Sequence, residues 1–152
     1  MRAVTLALCC LLPTATAAVG TDDTEPPKPT ETTTRCEGVQ IWDPVKAACV
    51  DPAGAWLDND TLFRAVRELA WAGRPGDALA VLAAMTEGET DRVLTYRGFA
   101  LRKAGDWDAG RAAYHRALAL NPDNILARSY LGQGLVERAK AVLESAARAL
   151  IA

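Results

Sequence analysis

The stretch Asp91–Asn124, DRVLTYRGFALRKAGDWDAGRAAYHRALALNPDN, restricts the fold more than any other part of the chain. Leu94, Gly98 and Leu101 fall on one face at helical spacing, with Phe99 beside them, so its first half reads as an amphipathic helix. Gly105 stands where the chain must turn and suits a left-handed helix end. Trp107 and Asp108 open a second helix with Ala113, Tyr114, Ala117 and Leu118 inward. Asn121-Pro122 closes it, because a proline cannot extend a helix. Small residues at Gly98, Gly110, Ala113 and Ala117 let the two helices approach closely while Tyr114 and Trp107 fill the gaps. Aligning Gly105 on Gly73 brings a weaker copy into register at residues 59–90, and a third begins at Ile125.

The stretch resembles a tetratricopeptide repeat, whose pattern runs W-x2-L-G-x2-Y, then A-x3-F, then a late Ala and Pro over about 34 residues. Gly98, Ala117 and Pro122 match outright and Tyr114 matches as an aromatic. Leu94 and Leu101 are apolar replacements for aromatics, while Arg97 and Gly110 depart from the pattern. Leu62, Val66, Leu69, Gly73, Ala78, Leu82 and Met85 take the corresponding places in the earlier copy, which lacks the closing proline. Leu131-Gly132 and Leu135 match in the third before the pattern fades. The resemblance implies an all-α fold: a superhelix of about two and a half helical hairpins over residues 57–152, with repeats near 59–90, 91–124 and 125–152.

Charge is unevenly placed along the chain. Residues 57–152 hold 13 basic and 12 acidic side chains, whereas residues 18–56 hold 3 basic and 7 acidic. The acidity belongs to the N-terminal part, and neither part is basic enough to suggest nucleic acid.

Residues 1–17 read as a secretory signal, with Arg2, an apolar core over Ala3–Leu12, Pro13, and Ala15-Thr16-Ala17 as a small-residue cleavage site. The apolar run is too short to span a bilayer, so export is expected and an uncleaved anchor is the alternative. Cys9 and Cys10 would leave with the signal; Leu8 argues against a lipoprotein site. Residues 18–35, rich in Thr, Pro and Glu, read as an extended, disordered linker.

Residues 36–52 carry Cys36 and Cys49, the cysteines left after signal removal, which are expected to pair in an oxidising compartment. Val39, Ile41 and Trp42 are strand-like, Asp43-Pro44 suits a turn, and Ala48-Cys49-Val50 can return as the partner strand. The result would be a disulfide-closed β-hairpin. Its C-x-G-x3-W-D-P-x4-C run is similar to one fragment of the peritrophin-type chitin-binding module, which would make Trp42 a sugar-stacking residue. The other reading, and the favoured one, has Trp42 packing on the first repeat as a cap. Two thiolates without a histidine make a poor zinc site.

Asp58 or Asn59 can cap the first helix, and Asp123 or Asn124 the fifth. Beyond Leu135 no Gly, Pro or Asn marks a turn, although Ala139, Val142, Leu143, Ala146 and Leu150 keep an apolar stripe. A turn near Arg138–Lys140 would fold the segment back as a capping helix, which is the expectation; one long helix from Ile125 is the alternative and leaves the stripe for a partner or a second copy.

His115 follows the inward Tyr114 and should face outward. The sequence holds no HExxH, glycine-rich phosphate loop or EF-hand spacing, so neither catalysis, nor a metal, nor another cofactor is expected. The resemblance implies that the first helix of each repeat lines a concave groove. Its candidate partner-binding residues are Phe63, Arg64 and Arg67; Thr95, Phe99, Arg102 and Lys103; and Ser129, Tyr130 and Gln133, a mildly basic surface suited to an extended partner carrying carboxylates. Thr95 and Phe99 occupy the places of the Lys and Asn with which some family members clamp a peptide terminus. The expected function is a non-catalytic scaffold or adaptor of the bacterial envelope, exported and periplasmic, binding a protein or extended peptide. Carbohydrate or cell-wall binding through the Trp42 hairpin is the alternative.

Overall fold

The computed structural model describes residues 25–54 and 56–151; the signal sequence with Cys9 and Cys10, and the first part of the linker, lie outside them. The element order is α1 (Glu31–Thr34), β1 (Ile41–Asp43), β2 (Ala48–Val50), α2 (Asn59–Trp71), α3 (Pro75–Ala84), α4 (Asp91–Lys103), α5 (Trp107–Leu120) and α6 (Ile125–Leu150). The chain is mostly helical, with one two-stranded antiparallel sheet among the described residues.

Helix starts follow their side-chain caps. Asp58, Thr90, Asp106 and Asn124 each accept a hydrogen bond from the backbone N–H three residues on, satisfying a donor that the first turn leaves unpaired. Pro75 opens α3 instead, its fixed φ and missing N–H suiting the first helical position. The two turns within hairpins are built alike. Gly73 and Gly105 have φ of +79° and +94°, and the following N–H groups of Arg74 and Asp106 donate to Leu69 O and Leu101 O, each at 2.9 Å. That left-handed closure is open to glycine without a Cβ penalty.

Packing within the α4–α5 hairpin depends on absent side chains. A Cβ at Gly98 would stand 2.7 Å from the Tyr114 ring and 2.9 Å from Gly110 O, so neither glycine can carry a side chain here without displacing the other helix. Val66, Leu69, Val81, Leu94, Tyr96, Phe99 and Tyr114 form one buried core through both hairpins.

Cys36 and Cys49 are bonded, closing the hairpin in which Ile41 pairs with Val50 and Trp42 with Cys49. The Asp43 carboxylate accepts the N–H groups of Val45 and Lys46 at 2.9 and 3.1 Å, which shapes the turn. Ile41, rather than Trp42, seats in the core: Ile41 is fully buried, whereas Trp42 stays half-buried with the Arg35 guanidinium 5.5 Å from its ring centre. Strand alternation puts the two side chains on opposite faces, and the smaller one fits against the repeats. Arg74 fastens the hairpin from outside by donating to the carbonyls of Cys36 and Gly38.

Two stretches differ from the sequence reading. Within residues 18–35, read as disordered linker, Glu31–Thr34 is a helical turn docked on α2, where the buried Glu68 carboxylate accepts from the N–H and hydroxyl groups of Thr30 and Thr33. Polar bonding holds this segment, to Glu68 and through the buried Thr32 hydroxyl that accepts the Trp42 N–H at 3.1 Å, and an apolar pattern would not reveal it. The C-terminal segment does not turn back near Arg138–Lys140; α6 runs unbroken from Ile125 to Leu150. Ala139 stands one repeat length after Gly105, and a residue that strongly favours the helix replaces one that leaves it.

Candidate partner-binding face

The helices α2, α4 and α6 stand side by side, and their aromatic residues interlock. Phe63 meets Tyr96 edge-on with ring centres 5.3 Å apart, Tyr96 meets Tyr130 at 6.1 Å, and Phe99 lies 4.6 Å from Tyr130 and 5.2 Å from Trp71. Such pairs contribute about 0.5–1.5 kcal/mol beyond burial. Phe63, Thr95, Phe99 and Tyr130 are therefore buried, serving as mortar between the helices.

Cations lie over this ladder. The Arg92, Arg102 and Arg67 guanidinium carbons stand 4.8, 5.3 and 5.9 Å from the centres of Phe63, Phe99 and Tyr96, and Lys103 Nζ stands 5.7 Å from Phe99. Arg67 also donates to the Tyr96 hydroxyl at 3.1 Å and to Glu25 O at 3.0 Å. Arg102, nearly enclosed, reaches Glu137 on α6 at 2.5 Å. Arg92 binds Asp60 at 2.7 Å and Glu87, which raises its own pKa and lowers that of Glu87 chiefly through the shared hydrogen bond.

The ten groove residues named from sequence thus divide. Phe63, Arg67, Thr95, Phe99, Arg102 and Tyr130 are buried in the ladder, while Arg64, Lys103, Ser129 and Gln133 are exposed. Of the four cations expected in the groove, Arg67 and Arg102 are taken up by Tyr96, Glu25 O and Glu137, and Arg64 and Lys103 remain at the surface. Thr95 is not free either: it donates to Asp91 O at 2.7 Å and accepts from Asn124 Nδ2 at 3.1 Å.

An open cleft of about 350 Å³ lies at the N-terminal ends of α2, α4 and α6. Phe63, Tyr96 and Leu126 contribute apolar wall, and Arg92, Asp123 and Asn121 polar rim. Asp91 organises the rim by accepting from Asn121 Nδ2 at 2.7 Å and Asn124 Nδ2 at 3.0 Å. Sequence reasoning named Phe63 and Thr95 here but read Asn121–Asn124 only as a helix stop and cap. The visible signal was two amide residues bracketing the turn, each available to a carboxylate on a neighbouring helix.

The hairpin α4–α5 has the length, turn and glycine–tyrosine packing of one repeat unit. Residues 91–124 match the model of the family described as Tetratricopeptide repeat. The match spans one hairpin; the tetratricopeptide-like arrangement of its neighbours rests on the shared Gly73 and Gly105 closures and the side-by-side helices. No curated protein and no solved structure matches the chain. Tetratricopeptide repeats generally mediate protein–protein contact and are generally non-catalytic. Among the described residues no helix is long and apolar enough to cross a membrane, and no cluster of His, Cys, Asp and Glu has the makings of a metal site. His115 is exposed on α5.

Proposed function

We propose that this protein is a non-catalytic adaptor that binds an extended segment of a partner protein along the side formed by α2, α4 and α6, in the cleft between Phe63 and Asp123. The open cleft beside a matched tetratricopeptide unit carries this reading. Its wall would take an apolar side chain and its rim the neighbouring backbone. The carboxylate-bearing partner expected from sequence is less well suited, because Asp91 and Asp123 sit at the mouth and Arg92 is already paired. The disulfide supports residence in an oxidising compartment, and with the N-terminal signal pattern it favours the bacterial periplasm. The exposed apolar residues of α6 support a second contact surface on that helix.

Affinity capture from an envelope extract tests the cleft, with the native chain and an Asn121→Lys, Asp123→Lys variant as matched baits. Both positions are exposed, and the substitutions crowd the mouth and reverse its charge; Asn121→Lys also gives up the bond to Asp91, so circular dichroism and a thermal melt check that the variant bait is folded. A protein held by the native bait and lost from the variant supports the cleft; a protein held equally by both places the working surface elsewhere. Sedimentation with insoluble chitin or peptidoglycan tests the glycan alternative, in which the native chain would pellet.

A further inference from the structure

In the α4–α5 hairpin, α4 offers a glycine face that α5 covers: Gly98 lies under Tyr114 and Gly110 at a separation that excludes even one Cβ. One repeat length later, Gly132 takes the place of Gly98 and Leu135 that of Leu101. Nothing stands within 4 Å of a Cβ built at Gly132, so among the described residues no helix covers this face of α6. Leu135, Val136 and Leu143 are 52%, 69% and 70% exposed on or beside it. The tetratricopeptide stacking in α4–α5 therefore continues onto α6 as a prepared but open seat for an antiparallel helix.

What would sit there has a definite pattern. The covering helix α5 presents Gly110, Ala113, Tyr114 and Ala117, a small residue followed at three, four and seven positions by filling and small side chains. The second half of α6 repeats that spacing with Ala139, Val142, Leu143 and Ala146, all exposed. Because α6 runs straight through Ala139, this half cannot fold back onto its own first half. It can reach the first half of another α6.

We propose that α6 binds α6 of a second copy of this chain, antiparallel, so that the second half of each helix lies on the first half of the other as α5 lies on α4. Ala139 of one copy then faces Gly132 of its partner, and the two-fold axis passes near Leu135 and Val136. The contact is isologous, so each apolar contact occurs twice. The inference rests on the reading of α6 as a contact surface and is independent of the cleft.

Light scattering and sedimentation of the full chain over a wide concentration range test it. The native protein should reach twice its 16.2 kDa chain mass. Gly132→Leu should hold it at the mass of one chain with unchanged helix content, since the added side chain meets open space in the single molecule but blocks close approach of a second helix. Leu143→Arg, an exposed substitution, should do the same, which guards against a folding defect in the glycine variant. In protein freed of residues 1–17, and so of Cys9 and Cys10, Leu135→Cys beside the axis should cross-link two copies on oxidation, whereas Ala149→Cys should not. A native chain that stays at one chain mass throughout overturns the proposal. So does dimerisation by both surface variants as strong as that of the native protein, which would place the self-contact elsewhere. The cleft experiment decides its own question whichever way this one falls.

Discussion

The Glu68 carboxylate accepts the Thr30 hydroxyl at 2.6 Å and the Thr33 hydroxyl at 2.5 Å, and it takes their two backbone N–H groups as well. One acid on α2 therefore ties residues 30–34 to that helix, and with Ile41 and Arg74 it converts a separate hairpin into a lid on the helices that follow. A buried acid is costly unless its oxygens are satisfied, and here the sequence-distant threonines do that.

Removing this acceptor should loosen the lid before it disturbs the repeats. Glu68→Ala removes the charged acceptor of two hydroxyls and two amides, those of the exposed Thr30 and the half-buried Thr33, at a cost of about 1–3 kcal/mol. Urea unfolding should show that loss, and trypsin should cut after Arg35 faster than in the native chain. Glu68→Gln, which keeps one acceptor oxygen, should fall between. Unchanged cleavage at Arg35 in the alanine variant would mean that the segment is held by other contacts.

The disulfide should matter locally. The bond closes a loop with a sequence separation of 13, for which chain entropy gives on the order of 3 kcal/mol. The two short strands have no core of their own beyond Ile41. Cys36→Ser with Cys49→Ser should therefore raise amide exchange through the strands Ile41–Asp43 and Ala48–Val50, while the α4–α5 hairpin keeps its protection. Equal loss of protection in both regions would show that the lid and the repeats unfold as one unit.

The α4–α5 seam should be intolerant where the sequence pattern says so. Gly98→Ala forces a Cβ to within 2.7 Å of the Tyr114 ring, and overpacking of this kind costs about 1–3 kcal/mol. Thermal melting compares it with Gly76→Ala, whose added Cβ meets nothing within 4 Å in a backbone conformation open to all residues. A smaller loss for Gly98→Ala than for Gly76→Ala would overturn the account of the close approach.

Much of this fold is legible in the chain because its elements rely on local rules. Gly73 and Gly105 mark the turns, Asp58 and Asn124 two of the helix starts, and the small residues at Gly98 and Gly110 with Tyr114 the hairpin seam. The Cys36–Cys49 hairpin follows from cysteine count and Asp43-Pro44. What escaped the reading depends on partners distant in sequence. Glu68 looks like one more surface acid on an amphipathic helix until Thr30 and Thr33 are seen beneath it. Arg67 and Arg102 look like groove cations until Tyr96 and Glu137 are found holding them. The unbroken helix at Ala139 is marked in the sequence by the absence of a glycine, but the need of a repeat stack for a capping helix points the other way. The Asp91 amide network needed the end of α5 and the start of α4 brought together, which periodicity does not show.

Tyr114 supplies a test of the buried seam by pH. Burial raises its phenol to about 12, against the opposing pull of Arg102, and its hydroxyl oxygen lies buried without a well-formed hydrogen bond. A group whose folded pKa lies above its unfolded value of 10.0 binds its proton more tightly when folded, so its stabilising contribution is complete below pH 10. The contribution is lost as pH rises from there through about 12, because unfolding then releases the proton. Tyr114→Phe removes the titration together with an unsatisfied buried hydroxyl. At neutral pH the variant should be as stable as the native chain or slightly more so, and above pH 10 it should resist alkaline unfolding that the native chain does not. Urea midpoints measured at pH 7 and pH 11 decide the matter. A phenylalanine variant that loses stability in step with the native chain between those two values would show that Tyr114 is not what limits the fold in alkali.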